Sequence, residues 1–178
     1  MPSDVTNKII FDKENAFVVF NTVCPCGKFD FELLIPSPPG MYRGNLSREE
    51  SQDFKSNWYD WCIENWGTKW NAYSQEVCPD NGDGRAFIKF DTAWNVPYPI
   101  IAAFANKFNI PFELRYNCEG AEWWGIEIYG KDEFFADYCI SRLSKDINNP
   151  EHRVCLCVEL KGYNPDELDE EDCDTEEL

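Results

Sequence analysis

The sequence predicts an α+β protein with an antiparallel sheet, and three observations lead to that prediction. Beyond residue 85, four segments alternate apolar and polar side chains with the period of a half-buried strand. Two segments with apolar residues at helical spacing interrupt them, which gives the order βαββαβ. A tryptophan-rich helix precedes this block. Such split βαβ units are the arrangement of a ferredoxin-like domain, in which both helices cover one face of a four-stranded sheet.

Residues 1–78 are predicted to form a small α/β module ahead of that domain. Residues 7–11 are predicted to form a strand, and the apolar run 16–20 suits either a strand or a helical turn. Residues 29–35 have the composition of a strand or an extended segment, which Pro36 closes.

One amphipathic helix is predicted over residues 47–66. Ser47 and Glu50 have the spacing of a capping box, and Gly67 can take the left-handed conformation that ends a helix. The apolar stripe consists of Phe54, Trp58, Trp61, Cys62 and Trp66. Aromatic area of this size favours a core role for the helix, with Trp66 and Trp70 as structural residues. An exposed aromatic platform for a ligand is the alternative.

Residues 79–163 are predicted to form the ferredoxin-like domain. Its elements are strand 86–94, helix 97–109, strand 112–116, strand 124–128, helix 132–143 and strand 154–160. The sheet face away from the two helices would carry Phe87, Lys89, Trp123, Glu127, Tyr129, Cys155 and Cys157.

Two conspicuous motifs lie close together in the chain, ENWGTKW at residues 64–70 and FDTAW at residues 90–94. With PYPI at 97–100, FDF at 29–31 and LIP at 34–36, they resemble the Api92-like/YubB family of phage and conjugative-plasmid proteins. The resemblance implies a ferredoxin-like C-terminal domain and a phage or plasmid setting. It implies no catalytic residue and no cofactor.

The charge balance restricts the class of partner. The chain has 33 acidic and 16 basic residues, a net charge of −17, which opposes binding to nucleic acid or to anionic membranes. Residues 164–178 hold nine acids and no base, so this segment is predicted to be a disordered tail. No apolar run is long enough to span a membrane, and the first residues do not have the pattern of a signal peptide. We therefore expect a cytoplasmic protein whose partner is basic.

The nine cysteines are predicted to be reduced thiols. The pairs Cys24/Cys26 and Cys155/Cys157 are each separated by one residue, whereas zinc sites usually use two to four, and His152 is the one histidine. Asp80 and Asp83 do not have the spacing of a calcium loop. No metal, no cofactor and no catalytic residue is predicted.

The sequence thus predicts a nonenzymatic protein that binds, and inhibits, a host defence protein with a basic surface, its acidic surface imitating nucleic acid. Asp60 and Glu64, on the polar side of the helix, and Trp123 and Tyr129, on the sheet, are the predicted binding residues.

Two alternatives remain open, and the oligomeric state is left undecided. Single-stranded RNA could stack on Phe87, Trp123 and Tyr129 of an open sheet face. A charged nucleotide signal would instead need the scattered bases Arg43, Arg48, Arg85 and Lys89 to converge.

Overall fold

The computed structural model describes residues 3–42, 44, 57–119, 123–131, 138–143 and 150–167. Ten helices and strands occur among them, with 3-10 turns at Lys13–Asn15 and Phe31–Leu33. In chain order they are β1 (Asp4–Asp12), α1 (Ala16–Val23), α2 (Trp58–Trp66), β2 (Tyr73–Cys78), β3 (Arg85–Ala93), α3 (Tyr98–Phe108), β4 (Phe112–Cys118), β5 (Trp124–Lys131), β6 (Tyr138–Leu143) and α4 (Pro150–Lys161).

All six strands join one antiparallel sheet in the order β2-β3-β1-β4-β5-β6. β1 lies between β3 and β4, where Ile9 pairs with both Ile88 and Leu114. This central place suits its sequence, because Val5, Ile9 and Ile10 are buried from both sides of the sheet. The crossover β3-α3-β4 therefore brackets β1, as in a split βαβ unit. The predicted α+β, ferredoxin-like class is confirmed.

The strands that make up this arrangement differ from the predicted ones. β1, α1 and β2 form the first half of the βαββαβ order, and β3, α3 and β4 form the second half. The sheet therefore contains strands from both sides of residue 78. β2 was not predicted, and residues 29–35 contain a 3-10 turn with Phe29 and Phe31 buried. The helix predicted from residue 132 is wrong over Tyr138–Leu143, which form β6. Residues 132–137 and the predicted tail beyond residue 167 lie outside the described residues.

The strand predicted over residues 154–160 is wrong, because this segment belongs to helix α4. Its buried side chains are Leu156, Cys157 and Leu160, whereas Val158 is 48% exposed. That spacing is helical and breaks the apparent alternation. The helix ends at Gly162, which has φ +83° and donates its N–H to the carbonyl of Val158 at 3.0 Å.

Helix α2 begins later than predicted. Asn57 is extended, with φ −92° and ψ 155°, and its side chain accepts the Asp60 N–H at 2.9 Å. A continuous helix through this residue is therefore wrong, and the Ser47–Glu50 capping box lies outside the described residues. Gly67 ends the helix as predicted, with φ +77°. A Cβ atom there would lie 2.8 Å from Pro99 Cδ, so glycine also allows α2 to approach the start of α3.

The core lies between the sheet and helices α1, α2 and α3. Phe31 contacts Phe29, Trp66 and Phe90 edge to face, with ring centroids 5.4, 5.7 and 5.8 Å away. Trp66 is 3% exposed, and its indole N–H donates to the Ile35 carbonyl at 2.9 Å. The observed burial agrees with the structural role predicted for this tryptophan.

Helix α4 packs on the opposite face of the sheet through an ionic contact. Glu159 accepts from Lys8 of β1 at 2.9 Å and from Arg115 of β4 at 2.5 Å. Burial alone would raise the pKa of Glu159, but the hydrogen bonds and charges of these two partners outweigh it and hold the pKa below its ordinary value.

The Glu159 carboxylate should therefore make the stability of the fold depend on pH. Because folding lowers this pKa, the ionised carboxylate stabilises the folded state at pH values above the pKa of the unfolded state. This contribution disappears as the pH falls through the pKa of the folded state. We expect Glu159→Gln to destabilise the protein by about 1–2 kcal/mol at pH 7 and by much less at pH 3. Urea unfolding at both pH values measures this, with the exposed Glu14→Gln as control. An equal loss at both pH values would contradict the assignment.

Candidate interaction surface

One end of the sheet concentrates exposed aromatic side chains. At this end Asp4 of β1 pairs with Ala93 of β3, and Asp12 pairs with Arg85 at the opposite end. Four large aromatic residues with 37–39% exposure belong to this end: Tyr59, Trp94, Tyr98 and Trp123. We call these four residues the aromatic surface.

Helix α2 brings acids to the aromatic surface. On the exposed side of this helix, Tyr59 and Ile63 are 39% and 37% exposed. Each is followed by an exposed acid, Asp60 and Glu64 respectively. The Tyr59 ring lies 6.5 Å from that of Trp94. Asp60 and Glu64, two of the predicted binding residues, thus flank an aromatic contact rather than a purely polar surface.

Trp94 is held outward by an unusual backbone. Its φ of +68° is rare for a bulky residue and costs on the order of 1–3 kcal/mol. Hydrogen bonds hold the turn in this conformation: Trp94 N–H donates to Ser3, Thr68 donates to the Ala93 carbonyl and Thr92 to the Asn95 carbonyl, at 2.9, 2.8 and 2.7 Å. Strain of this kind is concentrated at functional sites.

Lys69 of the ENWGTKW motif lies among these rings. Its Nζ is 4.3 Å from the centroid of Trp70, 5.3 Å from Trp94 and 5.9 Å from Tyr59. The ring faces at this end therefore already bind one cation of the chain itself.

A cavity of about 430 Å³ opens within the aromatic surface. It lies where the end of α2 meets the start of α3 and the strands β4 and β5. Its lining residues are Gly67, Asn95, Val96, Tyr98, Pro99, Tyr116 and Trp123. The rings of Tyr116 and Trp123 are 5.9 Å apart. Aromatic walls with few polar groups are typical of a binding cavity.

A buried carboxylate lies behind the tyrosines of this cavity. Glu127 is 3% exposed, and its Oε1 accepts from the hydroxyls of Tyr98 and Tyr116 at 2.9 and 3.3 Å. Its Oε2 accepts from the Tyr129 hydroxyl at 2.7 Å. Burial is the main cause that raises the pKa of Tyr98, and the hydrogen bonds with Tyr116 and Glu127 raise it further. This phenol therefore keeps its proton at neutral pH.

Gly125 makes this arrangement possible. It pairs with Tyr116 across β4 and β5, and a Cβ at residue 125 would collide with the phenol ring of Tyr116. The glycine thus allows Tyr116 to lie across the neighbouring strand with its hydroxyl near Glu127. This cluster was not predicted from the sequence, although the place of Glu127 within an apolar strand indicates a need for buried partners.

The predicted open face of the sheet requires a correction. Glu127 and Tyr129 lie on the face of α3, because Tyr129 pairs with Phe112 and the two rings stack with centroids 4.4 Å apart. Phe87 does lie on the other face, but it is 7% exposed there, with Lys8 Nζ 4.5 Å from its ring. Of the three residues proposed to stack RNA bases, Trp123 alone is exposed, at 39%. Its ring packs on that of Tyr116, which lies on the helix face, so it does not belong to the open face either.

Arg85 and Lys89, the two described residues of the predicted basic set, do not share a site. Arg85 pairs with Asp83 at 3.1 Å, and Lys89 lines a second cavity of about 400 Å³ beside Asp91 and Lys161. Asp4 and Glu119 also line that cavity, so opposite charges are mixed there. Arg43 and Arg48 lie outside the described residues.

Neither a metal site nor a membrane segment occurs in the ranges that the structure describes. No group of three or more His, Cys, Asp or Glu side chains there could hold a metal ion. Cys24 is a buried free thiol, and burial raises its pKa to about 12. Across the same ranges, no helix has the length and apolar character needed to cross a membrane.

A known protein family matches the part of the chain that contains most of the aromatic surface. Residues 65–154, just over half of the chain, match the family model described as a ferredoxin-like domain in Api92-like protein. No curated protein and no solved structure matches the chain. The matched region contains Lys69, Trp94 and all the residues that line the aromatic cavity.

Proposed function

The chain belongs to the Api92-like family, and on that premise we propose that it is a nonenzymatic protein of a phage or plasmid that binds a host protein with a basic surface. We propose further that this binding inhibits the host protein, a component of anti-phage defence. The aromatic surface beside Asp60 and Glu64 is the observation that carries the proposal. Tyrosine and tryptophan are the residues most often responsible for binding energy at protein interfaces.

The aromatic surface is suited to recognition by its geometry. Tyr59 packs on Trp94 and Trp123 packs on Tyr116, and these contacts restrict the motion of the rings. A rigid side chain loses little conformational entropy on binding, so more of the contact energy contributes to affinity.

Charge provides the second support for the proposal. The net charge is −17, of which residues 164–178 contribute nine negative charges, so −8 remains on the rest of the chain. An acidic protein attracts a basic partner over a distance, which speeds association and weakens as salt screens the charges.

The experiment uses charge reversal on α2. The partner is captured from the lysate of a phage-infected or plasmid-bearing host, identified and purified, and its Kd is measured at 0.05 and 0.5 M salt. We expect Asp60→Lys with Glu64→Lys to weaken binding at least about tenfold at low salt and much less at high salt.

A matched control distinguishes local charge from total charge. Asp12→Lys with Glu14→Lys changes the net charge equally, but at the other end of the sheet. We expect a loss of less than about threefold for this pair. Equal losses for both pairs, or an affinity that is indifferent to salt and to both changes, would refute the proposed surface. Thermal melting of all variants confirms that they are folded.

A further inference from the structure

We infer that Tyr59, Trp70 and Trp94 form a cage for an ammonium group, which Lys69 occupies in the free protein and a lysine of the partner occupies in the complex. The inference rests on the proposed function for the source of the incoming lysine. The cage itself is defined by contacts within this chain.

The cage has three aromatic walls that come from different parts of the chain. Tyr59 belongs to α2, Trp70 follows the end of that helix, and Trp94 lies directly after β3. Lys69 Nζ is 4.3, 5.3 and 5.9 Å from the ring centroids of Trp70, Trp94 and Tyr59. All three distances lie within the range of about 6 Å over which a ring face attracts a cation. The rings of Tyr59 and Trp94 are inclined at 76°, so two of the walls form a corner.

Lys69 is an occupant that another cation can replace. Its side chain is only partly buried, and no hydrogen bond or salt bridge to its ammonium group occurs among the described residues. Lys8, by contrast, is fixed by Glu159 at 2.9 Å. When Lys69 leaves the cage, its ammonium group therefore regains water without breaking an ion pair.

An incoming cation has access to the cage. Tyr59 and Trp94 are 39% and 37% exposed, and the exposed Asp60 follows Tyr59 directly. The acid attracts a basic partner toward these rings. We choose lysine rather than arginine as the incoming residue, because the group that the cage holds in the free protein is itself an ammonium.

Lys69 competes with every external ligand, because it is the neighbour of Trp70 in the chain. A group on so short a tether has an effective concentration of the order of millimolar. A free lysine peptide should therefore bind weakly to the wild type and more tightly once Lys69 is removed. A lysine of the partner is favoured over a free peptide, because contacts elsewhere on the aromatic surface hold it at the cage.

The test follows Lys69 in the full chain, labelled with ¹³C and ¹⁵N. In the free protein, the currents of the three rings should move the NMR signal of the Lys69 ε-methylene group away from the signals of the other lysines. We expect the peptide acetyl-Gly-Lys-Gly-amide at high concentration, and equally the purified partner, to move this signal back. The matched peptide contains norleucine, which lacks the ammonium group, and should bind at least about tenfold more weakly.

Three substitutions locate the cage. Lys69→Ala removes the competitor and should lower the Kd of the lysine peptide at least about tenfold. Lys107→Ala removes an exposed lysine of α3 and should leave that Kd unchanged. Added to Lys69→Ala, Trp94→Asn removes one wall and should raise the Kd at least about fivefold. The Lys69 signal of the wild type decides the question if a variant melts at a lower temperature.

The failure of this inference differs from the failure of the proposed function. The cage would be overturned by equal binding of the lysine and norleucine peptides, by tighter binding of acetyl-Gly-Arg-Gly-amide, or by an unchanged Kd in Lys69→Ala. A Lys69 signal that the partner leaves unmoved would overturn the exchange. The proposed function still stands in each case if the α2 charge reversal weakens binding of the partner. Conversely, the cage stands if the peptides bind as expected and no partner depends on Asp60 and Glu64.

Discussion

Replacing Trp66 with alanine is expected to lower the free energy of unfolding by about 3–5 kcal/mol. The indole is 3% exposed and contacts the rings of Phe31 and Trp61, with centroids 5.7 and 5.3 Å away. Alanine would leave a large cavity at this point and would also remove the hydrogen bond to the Ile35 carbonyl. Urea unfolding at constant m value measures the change.

Trp123→Ala is the natural comparison, because Trp123 has the same side chain but is 39% exposed. We expect it to cost less than about 1 kcal/mol. If both substitutions lower the free energy of unfolding equally, or if Trp66→Ala unfolds like the wild type, then α2 is not part of the core.

The second large effect concerns the affinity for the partner. Trp94→Asn removes an exposed ring, while asparagine tolerates the positive φ of residue 94 better than most residues. We expect the partner's Kd to rise about 30-fold, a value typical of a central interface residue, while the melting temperature stays equal or rises. Titration calorimetry with the purified partner measures the affinity.

Phe17→Ala serves as the control for that substitution. It also removes an exposed aromatic ring, but from helix α1. A loss of affinity for Phe17→Ala that equals the loss for Trp94→Asn would place the interface elsewhere.

The parts of the fold that depend on local periodicity were predictable. β1, β3, β4, β5 and helix α3 follow their apolar spacing and lie close to the predicted positions. The order of the strands was not predictable, since the composition of residues 7–11 indicates a strand without indicating its neighbours. Pairing with β3 and β4 is a long-range property of the whole sheet.

Two failures have specific physical causes. Residues 154–160 alternate Val, Leu, Val and Leu, yet Cys157 between them is also apolar, and its burial turns the pattern into a helical face. Pro150 and Gly162 were boundary signals of that helix. β2 is a short strand with an irregular register at Ser74, and its polar residues hide the strand period.

The candidate site was predictable only in part. Asp60, Glu64 and Trp123 are exposed as expected, whereas Tyr129 is buried because its pairing with Phe112 turns it toward the helices. Periodicity separates the two faces of a strand, but does not say which face the helices cover. The contacts of Glu127 join β5 to residues of α3 and β4, which no local spacing reveals.

Amide hydrogen exchange of the chain, free and bound to its purified partner, tests the central claim most directly. We predict slower exchange on binding in residues 58–70, 94–98 and 123–127, and unchanged exchange in helix α1 and around Asp12. Protection confined to α1, the β2–β3 turn or helix α4, with none at the aromatic surface, would contradict the account.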